Sequence, residues 1–129
     1  MSTISTHVLD TVLGKPAAEI SVRLEKQEGG GWIEISEGSE TAERVQDAPC
    51  GWIEISAGVT DPDGRCRDLA RDVEPGVYRI TFDTGNYLRR KGRAGLYPEI
   101  SVNFTCTGEA HYHLPLLLSD NSYTTYRGS

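Results

Sequence analysis

Apolar and polar residues alternate strictly in three segments of the chain. Ile20, Val22 and Leu24 alternate with Ser21, Arg23 and Glu25. Tyr78, Ile80 and Phe82 alternate with Arg79 and Thr81, and Ile100, Val102 and Phe104 with Ser101, Asn103 and Thr105. A period of two predicts half-buried strands resting on one core. Residues 6–9 and 122–126 are weaker strand candidates near the two ends. Residues 111–119 read as a strand with a mostly apolar body, and Pro115 within it predicts an edge position or a bulge, because proline donates no ladder hydrogen bond. Clusters such as Asp61-Pro62-Asp63-Gly64, Glu74-Pro75-Gly76 and Ser119-Asp120-Asn121 separate the runs as turns. Only residues 84–93 read as a helix, with Thr84 as its cap and Arg89, Arg90 and Lys91 near its end, where the helix dipole favours cations. Short strands at regular spacing and one brief helix predict an all-β sandwich.

One hexapeptide occurs twice. Gly31-Trp32-Ile33-Glu34-Ile35-Ser36 returns unchanged as Gly51-Trp52-Ile53-Glu54-Ile55-Ser56. Two copies are too few for a solenoid, and a chance repeat containing tryptophan is hard to obtain, so a duplication is the better reading. Each copy is a good strand, with the two isoleucines on one face and Trp and Glu on the other. The material between them, residues 37–50, is acidic and polar, with a short helix expected near 41–46. Two identical strands compete for one slot beside the strand at 20–25. The second copy is expected to win, because it keeps the link to Arg65 short; the first offers a tight hairpin through Gly29 and Gly30. The domain reading is one unit over 1–129 with a duplicated segment around 31–56.

The chain has 129 residues, enough for one domain, and its 37% hydrophobic and 25% charged residues are ordinary for a globular protein. Its charge, 13 − 19 = −6, argues against a nucleic-acid partner, which would require a basic face. No apolar run approaches the roughly 20 residues of a membrane span, and residues 1–13 lack the pattern of a secretory signal. Cys50, Cys66 and Cys106 are odd in number and form no Cys-x-x-Cys pair. A disulfide framework and a thiolate zinc site are therefore not expected, and the cytoplasm is the simplest compartment.

Chemistry then rests on few residues. His111 and His113, two apart on a strand, share the face opposite Tyr112, Leu114, Leu116 and Leu118, so they point away from the core. Alone, such a pair reads as solvent-facing. His7 on the N-terminal strand and the polar, aromatic ending Tyr126-Arg127-Gly128-Ser129 change that balance. Arg65 follows a tight turn, and its rigid donor fork suits a planar polar substrate or a developing oxyanion.

The segments Ser5-Thr6-His7-Val8-Leu9-Asp10, Gly14-Lys15-Pro16-Ala17, Thr60-Asp61-Pro62-Asp63-Gly64-Arg65, His111-Tyr112-His113-Leu114-Pro115 and Tyr126-Arg127-Gly128-Ser129 resemble the transthyretin-related proteins. The last two resemble the branch that hydrolyses 5-hydroxyisourate. The resemblance spans the chain except for the insertion with one copy of the repeat. It implies a transthyretin-like, eight-stranded β-sandwich with one short helix, assembled as a homotetramer (a dimer of dimers) with sites in the channel between dimers. It implies catalytic roles for His7, Arg65, His113 and Ser129, with His111, Tyr126 and Arg127 binding substrate, and no metal or organic cofactor. The expected reaction is hydrolysis of 5-hydroxyisourate, a small-molecule substrate, with one histidine activating water. The rivals are a three-histidine zinc hydrolase, a carrier of a small ligand in the same channel, and an engineered strand-duplication scaffold whose activity is incidental.

Overall fold

The computed structural model describes residues 2–28, 32–33, 43–44 and 51–128. In chain order its elements are β1 (Ser2–Asp10), β2 (Lys15–Pro16), β3 (Ser21–Glu28), β4 (Trp32–Ile33), β5 (Glu43–Arg44), β6 (Gly51–Val59), β7 (Arg65–Val73), β8 (Gly76–Phe82), α1 (Thr84–Arg90), β9 (Ile100–Cys106), β10 (His111–Leu118) and β11 (Tyr123–Thr125). The three alternating segments are β3, β8 and β9. They pair antiparallel with β6 in the order β6-β3-β8-β9. The second sheet runs β11-β10-β1, with β7 and the short β2 on the other side of β1. Leaving aside the two-residue strands, this is the expected eight-stranded sandwich. Its core is filled from both sheets by Ile4, Val8, Val22, Leu24, Ile80, Phe82, Ile100, Leu114, Leu116 and Leu118, all buried.

The slot beside β3 is filled by the second hexapeptide. Glu28 pairs with Gly51, Gln27 with Trp52 and Lys26 with Ile53, before a bulge at Leu24 and Glu25 shifts the register. Ile53 and Ile55 stay exposed, at 46% and 43%, because β6 is the edge of its sheet. Beyond the bulge Gly58 turns inward, where a Cβ would lie 2.8 Å from the Cys66 sulfur. Of the first copy, Trp32 and Ile33 pair with Arg44 and Glu43, so the helix expected near 41–46 gives way at 43–44 to a strand. The rest of both segments lies outside the described residues.

Three local expectations change. The helix is capped by the Asp83 carboxylate, which accepts from the Asn86 backbone N–H at 3.5 Å, and not by Thr84, which is buried. It stops at Arg90, because Gly92 takes the left-handed conformation at φ 73°. Pro115 sits neither at an edge nor in a bulge. β10 lies between β1 and β11, but N–H groups alternate sides along a strand. The side of Pro115 faces away from β1, where the ladder with β11 begins only at Leu116.

A buried ion cluster fixes the far end of β1. Asp10, with no exposed surface, accepts from Arg93 Nη1 at 2.6 Å, from Tyr87 Oη at 2.8 Å and from the backbone of Val12 and Leu13. Arg93 also donates to Asp120 at 2.6 Å. One guanidinium thereby ties together β1, the chain just past α1 and the turn after β10.

Candidate active site

Along β1, residues 4, 6, 8 and 10 are buried, so Thr3, Ser5 and His7 share the outward face. The parallel register with β10 sets Thr3 opposite His111, Ser5 opposite His113 and His7 opposite Pro115. On the other side of β1, Arg65 is the partner of His7. Two strand pairings therefore collect three histidines and an arginine from distant parts of the chain. The His7 and His113 rings lie 6.4 Å apart, and those of His111 and His113 are stacked 6.3 Å apart at 11°. A cavity of about 260 Å³ is lined by Ser5, Thr6, Arg65, Arg67, His111 and His113. A larger cavity, about 660 Å³, lies on the other sheet and has no histidine among its lining residues.

The turn before β7 aims Arg65. The Asp61 carboxylate accepts from the backbone N–H groups of Asp63 at 2.9 Å and Arg65 at 3.0 Å. Gly64, at φ 78°, donates to the Asp61 carbonyl and receives the Val8 N–H on its own carbonyl at 2.7 Å. A side chain there would strike the Val8 carbonyl, so glycine is required by both conformation and space. The Asp63 carbonyl faces His7 Nε2 at 3.0 Å. A carbonyl only accepts, so neutral His7 carries its proton on Nε2 and keeps a free lone pair on Nδ1.

Burial, and then the Arg65 guanidinium, hold the His7 pKa below 6.5. Burial, then Arg65 and the two neighbouring histidines, do the same for His113. Both rings are therefore neutral at pH 7, the state a proton acceptor needs.

The tail folds back onto this site. The Gly128 N–H donates to the His113 carbonyl at 2.7 Å, and a Cβ at Gly128 would lie 2.7 Å from the His113 ring. Arg127 turns elsewhere, donating to Glu109 at 3.4 Å and to the His111 carbonyl at 3.2 Å, with its guanidinium 4.7 Å from the Tyr112 ring centre. Tyr126 is exposed, and Ser129 lies outside the described residues. Of the expected residues, His7, Arg65, His111 and His113 come together, whereas the Arg127 side chain is engaged outside the cavity. Thr3, Ser5 and Arg67 went unrecognised as part of the site. Thr3 and Ser5 stand four and two residues before His7, the spacing that keeps a strand residue on the same face. Among the described residues no group of three or more His, Cys, Asp and Glu side chains is placed to hold one metal ion.

A two-sheet sandwich whose outer face carries imidazoles and a guanidinium around a small polar cavity has a transthyretin-like fold and a site suited to acid–base chemistry. A family model described as HIUase/Transthyretin family matches residues 4–128, and the chain belongs to that family. It is 40% identical over 132 residues to the 5-hydroxyisourate hydrolase of Mus musculus, covering 99% of this chain and 96% of the relative. Among solved structures, the Klebsiella pneumoniae 5-hydroxyisourate hydrolase superimposes with a TM-score of 0.76 at 31% identity, over 100% of both chains. The transthyretin of Sparus aurata superimposes with a TM-score of 0.78 at 30% identity, over 99% of this chain and 97% of that one.

Proposed function

We propose that this chain hydrolyses 5-hydroxyisourate, adding water to a carbonyl of its lactam ring and breaking the ring C–N bond to give 2-oxo-4-hydroxy-4-carboxy-5-ureidoimidazoline. The observation that carries the proposal is the meeting of His7, Arg65 and His113 on one outer face. The hydrolases of mouse and Klebsiella, similar along nearly the whole chain, support it. Shape alone does not choose between hydrolase and carrier, since the fish transthyretin fits the fold equally well. The polarity of the small cavity does choose: imidazole and guanidinium groups serve proton transfer and oxyanion stabilisation, whereas a carrier of an apolar ligand needs an apolar lining.

In the proposed mechanism His7 takes the proton of the attacking water on its free Nδ1. Arg65 neutralises the charge that grows on the ring oxygen, and His113 orients water and returns a proton to the departing nitrogen. Ser129 and Tyr126 position the substrate, and Arg127 holds the tail through Glu109 and the His111 carbonyl. The reaction runs on these side chains without a metal ion. The reading also carries a homotetramer that completes each site in the channel between dimers, and a cytoplasmic home supported by the free thiols of Cys66 and Cys106.

The test follows the ultraviolet decay of freshly generated 5-hydroxyisourate with and without protein. The wild-type chain accelerates the decay well above the spontaneous rate, and His7→Ala lowers kcat by about 10²–10⁴-fold, the share of a general base. A wild-type chain that leaves the spontaneous rate unchanged overturns the proposal.

A further inference from the structure

Ser5 bridges two histidines. Its Oγ lies 2.8 Å from Nδ1 of His113 and 3.3 Å from Nε2 of His111. Nδ1 of His111 lies in turn 2.5 Å from Thr3 Oγ1, which has the Ala110 carbonyl within 3.4 Å. Hydroxyl and imidazole alternate from the exposed Thr3–His111 end to the half-buried His113 ring, and Ser5, only 6% exposed, is the buried link. The parallel register of β1 and β10 produces this spacing, because it sets Thr3 against His111 and Ser5 against His113 on one face.

Counting protons shows what such a chain does. Three hydrogen bonds connect four groups, and each group in its neutral form supplies one proton. One proton is therefore surplus and must sit at one end. In the first arrangement Thr3 donates to His111, His111 donates through Nε2 to Ser5, Ser5 donates to His113 Nδ1, and the surplus proton rests on His113 Nε2. In the second every bond is reversed: His113 donates through Nδ1 to Ser5, Ser5 donates to His111 Nε2, His111 donates through Nδ1 to Thr3, and Thr3 donates to the Ala110 carbonyl. His113 Nε2 is then bare. Both arrangements satisfy every group. His7 has no such freedom, because the Asp63 carbonyl pins its tautomer.

We propose that Ser5 and His111 are positioning residues that relay protons between His113 and solvent at the Thr3 end. The inference rests on the hydrolase reading and deepens it. When His113 gives its Nε2 proton to the departing ring nitrogen, the three bonds reverse and a solvent proton enters at the Thr3 end. When Nε2 accepts a proton, one leaves by the same route. Ring opening produces a carboxylic acid that ionises at neutral pH, so each turnover releases one proton. Transfer of the acid proton to the bare Nε2 returns the three bonds to their first arrangement and sends a proton out at the Thr3 end. His7 meanwhile gives up the water proton to solvent, so one net proton leaves per turnover and His113 never leaves its station.

Two measurements on the full-length protein test the relay. The first is the ¹⁵N spectrum of the His113 ring, which reports its tautomer with or without substrate. In the wild-type chain both nitrogens show averaged signals. In Ser5→Ala the average collapses to one tautomer, and in Ser5→Thr, which keeps the hydroxyl, it is retained. The second is turnover. Ser5→Ala lowers kcat by about 10- to 100-fold with KM within about twofold, a loss confined to the acid–base part of the barrier, and Ser5→Thr restores most of it. His111→Leu, at an exposed position, lowers kcat in the same way. The proposal is overturned if Ser5→Ala and His111→Leu turn over within about twofold of an active wild type, or if the His113 signals do not respond to Ser5→Ala. A wild type inactive on 5-hydroxyisourate overturns the hydrolase reading instead, and the ring signals alone then decide whether the relay exists.

Discussion

A histidine serves as a base at pH 7 only while it is neutral, and two different causes keep His7 and His113 so. Burial is the larger and Arg65 the next. The two are separable, because Arg65→Gln removes the charge and leaves the burial. The NMR titration midpoints of both rings rise in that variant toward 6.5 but stop short of it. Midpoints that stay put mean burial alone sets them. The sign for stability follows from the same shifts. With folded values below the unfolded 6.5, acidification protonates the unfolded chain first. These two groups cost stability as pH falls through 6.5, and less so in Arg65→Gln. The histidine positions were legible because a period of two sends His111 and His113 away from four apolar neighbours. Ser5 was not, since the spacing that sets it on the His7 face does not single out a serine as functional. Its role comes from a cross-strand neighbour more than 100 residues away.

At the scale of elements, the strands legible in the sequence are those with one apolar and one polar face. β1 and β7 hide this pattern for different reasons. On β1, Ser2, Thr6 and Asp10 face inward, each buried and hydrogen-bonded, so polar residues occupy both faces. On β7, which sequence reading did not identify, register shifts against β1 break the period, and Arg67, Asp68, Arg71 and Asp72 dilute the inward Leu69, Ala70 and Val73. The Asp10 cluster was equally invisible, yet it joins three elements. Burial pushes the Asp10 carboxyl up, but hydrogen bonds from Arg93, Tyr87 and the Leu13 backbone outweigh it and hold the pKa below 3.8. Tyr87 itself is pushed up to about 12 by burial and by its bond to Asp10. The stability Asp10 supplies is therefore present above pH 3.8 and lost as pH falls through its lowered folded value. Arg93→Leu strands a fully buried carboxylate and costs about 3–5 kcal/mol at pH 7, read from the denaturant midpoint. The penalty shrinks in Asp10→Asn/Arg93→Leu, where no charge remains. An Arg93→Leu chain as stable as wild type removes the cluster's structural role.

For the whole molecule, the duplicated hexapeptide asks how much of the chain the sandwich needs. Glu28 pairs directly with Gly51, so the register already has the geometry of a hairpin with 22 residues, 29–50, between the paired ends. Removing residues 31–50 leaves Gly29 and Gly30 alone between Glu28 and Gly51, and Gly-Gly is among the sequences that two-residue hairpin turns favour. Removing residues 37–56 instead gives the identical protein, because the two copies are the same. The prediction therefore does not depend on which copy is regarded as the extra one. Loop closure costs about 0.6 kcal/mol per doubling of length, and from 2 to 22 residues is about 3.5 doublings, so the shortened chain gains roughly 2 kcal/mol. His7, Arg65 and His113 all lie on the other sheet, so kcat on 5-hydroxyisourate stays at the wild-type value while the denaturation midpoint rises. A shortened chain that unfolds at lower temperature shows instead that residues 31–50 contribute more than the length of a connection. In that case the β4–β5 ladder becomes the place to look for the missing contacts.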